Sequence, residues 1–167
     1  MNAIVKRGRR HPMKVSDIMT REVETCLEAT SLTRVVTEML DASCGVVPVV
    51  SPGGSVVGII TDRDIAAALI ATGRKPSNVS AREAMTRHVH SCGPNDTVTT
   101  ALETMRKFRV RRLPVVSETG QLVGILSLDD IIVRAHAAGA PTSEEIMQTL
   151  RSILAFRNTP RALELVE

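Results

Sequence analysis

The chain has 167 residues, 43% apolar and 23% charged, a globular profile with material for one domain or two small halves sharing a core. Its apolar content is aliphatic, with two Phe, no Trp and no Tyr, which counts against a nucleic-acid binder built on aromatic platforms. Net charge is +3, and Cys26, Cys44 and Cys92, which lack C-x-x-C spacing, read as buried apolar side chains in a reducing cytoplasm.

Basic residues crowd the start. Lys6, Arg7, Arg9, Arg10 and Lys14 have no acid among them, and residues 1–12 read as a solvated basic tail. No apolar run is long enough to span a bilayer and no signal-peptide core follows the basic start, so a cytoplasmic protein without a membrane segment is expected.

From residue 13 to 74 the chain reads as one unit. A short strand is expected at Val23 to Cys26. A helix follows, with Leu32, Val35, Val36, Met39 and Leu40 on one apolar stripe. Then comes a hairpin: Val46 to Val50, a turn at Pro52-Gly53-Gly54, and Val56 to Ile60. A second helix starts near Asp62. Residues 79 to 138 repeat that order. A strand at Val89 to Cys92 precedes a helix carrying Val98, Ala101, Leu102 and Met105. The hairpin runs Arg112 to Val116 and Leu122 to Leu126 around Thr119-Gly120, and a helix starts near Leu128. Beyond the repeats, Thr142 and Glu145 stand at capping-box spacing and open a helix over 141–157. Its apolar face holds Ile146, Met147, Leu150, Ile153 and Leu154, expected to pack on the module or on a second subunit. Residues 158–167 read as a tail.

The repetition is literal. A shift of 66 positions lays Met19-Thr20-Arg21 on Met85-Thr86-Arg87, Pro48-Val49-Val50-Ser51 on Pro114-Val115-Val116-Ser117, and Asp64-Ile65 on Asp130-Ile131. Such internal repetition decides the architecture ahead of any local signal. Each copy ends its hairpin on a tetrad, Thr61-x-x-Asp64 or Ser127-x-x-Asp130. Alone, such a tetrad reads as helix capping. Two at the same strand-to-helix corner of a repeated unit also suit a ligand, since a helix start attracts anions and a hydroxyl beside a carboxylate can grip a diol.

The chain resembles a tandem pair of cystathionine-β-synthase (CBS) domains, the Bateman module, from about residue 13 to 138. The resemblance rests on the opening Val15-Ser16-Asp17-Ile18-Met19, the Pro-Val-Val strands and the doubled Gly-x-x-[Thr/Ser]-x-x-Asp. It implies an α/β (α+β) fold of two β-α-β-β-α repeats in two-fold pseudo-symmetry, with two clefts for adenosine compounds: AMP, ADP, ATP, NAD or S-adenosylmethionine. By resemblance Asp64 and Asp130 accept from ribose hydroxyls. Each cleft draws on both copies. The first is expected to hold Thr61, Arg63 and Asp64 with Val110, Arg111 and Arg112, walled by Met85, Thr86 and Val89. The second is expected to hold Ser127 and Asp130 with Cys44, Gly45 and Val46, walled by Met19, Thr20 and Val23. The family also implies a homodimer joined through helices.

Charge separates the clefts. Arginines at 63, 111 and 112 suit a phosphate in the first; Asp129 in the second opposes one. No nucleophile finds a base, no phosphate loop is written, and His88 and His90, alternating on a strand-like segment, read as exposed side chains rather than a metal pair. An enzyme is not expected, nor is any catalytic cofactor or metal. The expected role is a non-catalytic sensor that reports ligand state to an unnamed partner. The alternative is a nucleic-acid or partner-tethering scaffold using the basic start and Arg106 to Arg112, with vestigial clefts.

Overall fold

Two apolar hairpins frame the molecule. In the computed structural model, which describes residues 11–157, β2 (Val46–Val50) pairs antiparallel with β3 (Val56–Thr61), and β4 (Arg112–Val116) with β5 (Leu122–Ser127). Both ladders slip at the same place, between Val49 and Val50 and between Val115 and Val116. The residues from 1 to 10, with most of the basic run, and the 158–167 segment lie outside the described residues.

The helices answer to their caps. Ser31 Oγ accepts from Arg34 N–H at the start of α1 (Leu32–Asp41), and Thr97 Oγ1 accepts from Thr100 N–H at the start of α4 (Val98–Phe108). Each helix buries one stripe: Leu32, Val35 and Met39 on α1, and Val98, Ala101, Leu102 and Met105 on α4. Leu40, expected on the α1 stripe, is 73% exposed. The turns after both helices use left-handed backbone at equivalent positions, Ser43 (φ 49°) and Arg109 (φ 57°). After the hairpins come α2 (Asp62–Thr72) and α5 (Leu128–Val133), starting where the sequence places them.

The first strands are shorter than expected. Val23 to Cys26 reduces to β1 (Cys26–Leu27), parallel to β2, and Val89 to Cys92 reduces to a bridge from Cys92 to Val115. The residues ahead of them are spent on the opposite repeat. Thr20 and Ile125 exchange two backbone hydrogen bonds at 2.9 Å, and Thr86 and Ile59 exchange theirs at 3.0 and 2.8 Å. Each opening segment thus crosses to the other unit's hairpin, a pairing that no local periodicity encodes.

The cores are exchanged to match. Val15 and Met19, from the first opening, lie in one core with Leu102, Leu113, Leu126, Leu128 and Ile131. Val79, Ala81 and Met85, from the second opening with its short helix α3 (Ala81–Ala84), lie in the other with Leu32, Val35, Val47 and Ile60. Gly58 and Gly124 make the close approach feasible. A Cβ on Gly124 would sit 2.8 Å from both Met19 Sδ and the Thr20 carbonyl oxygen, and one on Gly58 would collide with Met85 Sδ. The pseudo-axis passes the hairpin turns, where Ser55 bridges its own equivalent, Gln121.

Helix α6 (Ser143–Arg157) breaks the symmetry. Its cap is complete: Glu145 accepts from Thr142 N–H and Oγ1–H at 2.7 Å, and Thr142 Oγ1 accepts from Glu145 N–H at 3.3 Å. These bonds hold the Glu145 carboxyl below the usual carboxylate range. The helix lies on α4, where Arg106 donates to Gln148 and its carbonyl accepts from Ser152. Ile146 and Ile153 enter the second core, each contributing roughly 1.5–3 kcal/mol by burial, while Met147 and Leu154 stay 44% exposed. Among the described residues, no helix is long and apolar enough to cross a membrane.

Candidate ligand clefts between the repeats

Both tetrads form complete capping boxes. Asp64 Oδ2 accepts from Thr61 N–H at 2.9 Å and Thr61 Oγ1–H at 2.7 Å, while Thr61 Oγ1 accepts from Asp64 N–H at 3.2 Å. Asp130 Oδ2 accepts from Ser127 N–H at 2.8 Å and Oγ–H at 2.6 Å, while Ser127 Oγ accepts from Asp130 N–H at 3.0 Å. All of this runs through one carboxylate oxygen, so the plain capping role is real in both copies. It leaves Oδ1 of each aspartate outside the cap and fixes its direction. Both aspartates are half-buried.

An open cleft of about 340 Å³ lies at the second tetrad, within the size range of small-molecule sites. Ser127 and Asp130 line it from the second repeat; Thr20, Val23, Cys44 and Val46 line it from the first. Six of the eight residues expected there are therefore together. Met19 is not part of this lining; it is buried against Gly124, because the crossing segment inserts it into the core. Gly45 faces α2 instead, its carbonyl accepting from Asp62 N–H at 3.3 Å. Sequence reasoning missed Glu22, Glu24, Ala42, Ile125 and Arg112, which also line the cleft.

Arg112 changes the charge reading. It was expected at the Asp64 cleft, where the repeat shift makes it the equivalent of Val46, and it also lines the Asp130 cleft because β-pairing sets it directly across from Ser127. The repulsion expected from Asp129 is also answered: Arg111 Nη2 lies 3.2 Å from Asp129 Oδ1, an ion pair at the surface of one repeat. Such a pair contributes little to stability, about 0–1 kcal/mol, but it spends the Arg111 charge locally. The cleft thus offers one guanidinium against Glu22, Glu24 and Asp130.

At the first tetrad the exchanged strand brings Thr86 to Ile59, two residues before Thr61. Arg63 is exposed, Val89 and Val110 are half-buried, and Met85 is core, packed against Gly58. His90, expected to be exposed on a strand, is half-buried in irregular backbone and stacks on Phe108, with ring centroids 3.5 Å apart and planes 11° off parallel. His88 is exposed. Among the described residues, no group of three His, Cys, Asp or Glu is placed to hold a metal ion.

The cysteines differ in burial. Burial pushes the Cys26 thiol up to about 11 and the Cys92 thiol up to about 12, with the Glu38 and Asp96 charges adding to each. Cys44 is half-buried in the cleft wall, its Sγ 3.4 Å from the Val46 carbonyl oxygen.

Comparison with known proteins agrees with this geometry. The CBS domain profile matches residues 15–71 and again 81–136, more than half of the chain. The chain belongs to the CBS domain family. Its CBS pair is 34% identical over 119 residues to the uncharacterized protein YlbB of Bacillus subtilis, covering 71% of this chain and 79% of that one. It is also 33% identical over 117 residues to a homoserine O-acetyltransferase of Methanococcoides burtonii, covering 70% of this chain but only 23% of that enzyme's length. Among solved structures, the CBS domain pair of protein MJ0100, in complex with 5′-methylthioadenosine and S-adenosyl-L-methionine, is 28% identical. It aligns with a TM-score of 0.66 over 74% of this chain and 95% of that one. A mixed α/β CBS pair with an added C-terminal helix is therefore the fold.

Proposed function

We infer that this CBS pair is a non-catalytic regulatory module that binds an adenosine-containing ligand between its repeats and reports the ligand to a partner. The observation that carries the reading is the open cleft, lined by the Ser127–Asp130 tetrad of one repeat and by Thr20, Val23, Cys44 and Val46 of the other. Asp130 presents its uncapped oxygen for a ribose hydroxyl. Val23, Val46 and Ile125 give an aliphatic wall for a base. The adenosine ligands of the MJ0100 pair support the same choice. With one arginine against three carboxylates, the Asp130 cleft favours an adenosine with a small or zwitterionic tail, methylthioadenosine or S-adenosylmethionine, then AMP, over ATP or NAD.

Because the lining comes from both repeats, a bound ligand ties their relative placement. A partner that distinguishes two placements would read the ligand through its differential affinity for them. A homodimer formed through helices is the assembly proposed for this module.

Thermal melting and calorimetric titration test the reading. A ligand at a hundred times its Kd stabilises by about 2.7 kcal/mol, worth roughly 5–10 °C at this chain length. S-adenosylmethionine or AMP should raise the midpoint of the wild type by that order. Asp130→Ala melts lower through loss of its cap, and at the ligand concentration that shifts the wild type its own midpoint should move much less. A flat response of the wild type to every adenosine compound would end the sensor reading.

A further inference from the structure

The shift of 66 that superposes the repeats also carries the open cleft onto the corner at Thr61 and Asp64. The bridges, ladders, capping boxes and the methionine contacts of Gly58 and Gly124 obey that shift. Thr20, Ser127 and Asp130 land on Thr86, Thr61 and Asp64, which are chemically alike. Glu24 and Ala42 do not carry over: they land on His90 and Phe108. Where one cleft has a carboxylate and a methyl group, its twin therefore has two flat rings, face to face at 3.5 Å.

That spacing and the 11° tilt are the geometry of a base lying on an aromatic face. Phe108 is 40% exposed, and Lys107 Nζ lies 5.1 Å from the same ring's centroid, bringing positive charge to the opening. Between Thr86 and Cys92 the backbone is unladdered: among the described residues no main-chain hydrogen bond ties residues 87 to 91. His90 can leave its place without breaking sheet.

We propose that His90 is an internal competitor at the Asp64 cleft, holding the place of the purine on the face of Phe108 until a ligand displaces it. The inference rests on the adenosine reading of the pair and adds what that reading lacks, an aromatic platform and an internal competitor in one cleft. A purine covers more of the Phe108 ring than an imidazole does, so exchange favours the ligand. Displacing His90 still weakens binding, so the open Asp130 cleft fills first and the Asp64 cleft fills at higher concentration.

The test uses the full chain carrying Asp130→Ala, so that only the Asp64 cleft is titrated. The His90 ring protons, assigned by comparison with His90→Gln, are followed by NMR as AMP is added, with ribose 5-phosphate as the baseless control. AMP should release the His90 protons from the Phe108 ring current; ribose 5-phosphate should leave them. His90→Ala should tighten AMP by about 3–10-fold, the worth of one aromatic pair. Phe108→Leu, which keeps apolar bulk without a ring face, should weaken it about tenfold or more. Circular dichroism confirms that both variants are folded. AMP saturating the Asp64 cleft with His90 unmoved, or His90→Ala weakening AMP, overturns the proposal. So does AMP binding to wild type but not to the Asp130→Ala chain, which leaves the adenosine reading intact. If neither AMP nor S-adenosylmethionine binds wild type, the adenosine reading falls and takes this inference with it.

Discussion

The two repeats share their hydrogen bonds and differ in what stands around them. Capping boxes, slipped ladders, left-handed turns and crossed openings coincide position by position. The differences sit at the margins. Helix α6 covers α4 while its equivalent α1 leaves Leu40 exposed, and a ring stack of His90 on Phe108 takes the positions that Glu24 and Ala42 hold in the lining of the open cleft. Duplication keeps what the backbone requires, and the copies diverge in side chains that the backbone leaves free.

Measurements on matched pairs of positions can break that comparison. The largest gap should come from the covering helix. Leu102 is 2% exposed beneath α6, and its equivalent Val36 is only partly buried on uncovered α1. By urea unfolding, Leu102→Ala should cost about 3 kcal/mol and Val36→Ala about 1. Equal costs would mean that α6 adds nothing to the second core.

The crossing glycines should differ less. Gly124→Ala meets the backbone carbonyl of Thr20 as well as Met19 Sδ, while Gly58→Ala meets only the Met85 side chain, which can move. About 2–3 kcal/mol is expected for the first and about 1 for the second. A larger loss at Gly58 would show that Met85 is the more rigid of the two.

The caps should not differ. Ser127→Ala and Thr61→Ala each remove the same bonds and should each cost about 1 kcal/mol. A gap beyond a few tenths would place unequal strain at the two corners and undo the shared frame.

Alkaline pH should expose the two buried thiols in turn. An unfolded thiol ionises near 9, while folding holds Cys26 to about 11 and Cys92 to about 12. Their raised values stabilise the fold fully below about 9, and that contribution is lost as pH climbs through 11 and then 12. The melting point should be level from pH 7 to 9 and decline above it, less steeply in Cys26→Ala. A decline that begins below pH 8 would exclude these thiols as its cause. The smallest effect is chemical. At pH 8 Cys44 should alkylate ahead of Cys26 and Cys92, and a ligand in the Asp130 cleft should slow it severalfold.

Hairpins, helix starts and both aspartates were legible because each is written within a few residues, as alternation, a turn, or Thr-x-x-Asp. The short first strands were not, since Thr20 and Thr86 pair with strands of the opposite repeat. Met19 and Met85 were placed as cleft walls by resemblance, although Gly58 and Gly124 carried the sign of the close approach that buries both methionines. Arg112 was placed at the Asp64 cleft by resemblance, and its register opposite Ser127, which local sequence does not show, also brings it into the lining of the Asp130 cleft. The scarcity of aromatic residues also hid Phe108. One ring in the right place suffices, and laying Ala42 on Phe108 in the repeat shift was the signal that could have found it.

The exchanged openings set an order on synthesis. As the chain leaves the ribosome, the first hairpin can complete its core once Val79, Ala81 and Met85 have emerged, only a short stretch behind it. Val15 and Met19 must wait for Leu113, Leu126 and Ile131, the far end of the second repeat. Val15 and Met19, made ahead of both hairpins, are therefore covered only after the second repeat has emerged. A nascent chain halted between the repeats would show one core lacking its final side chains and an uncovered Val15 and Met19, the kind of surface that holding chaperones grasp.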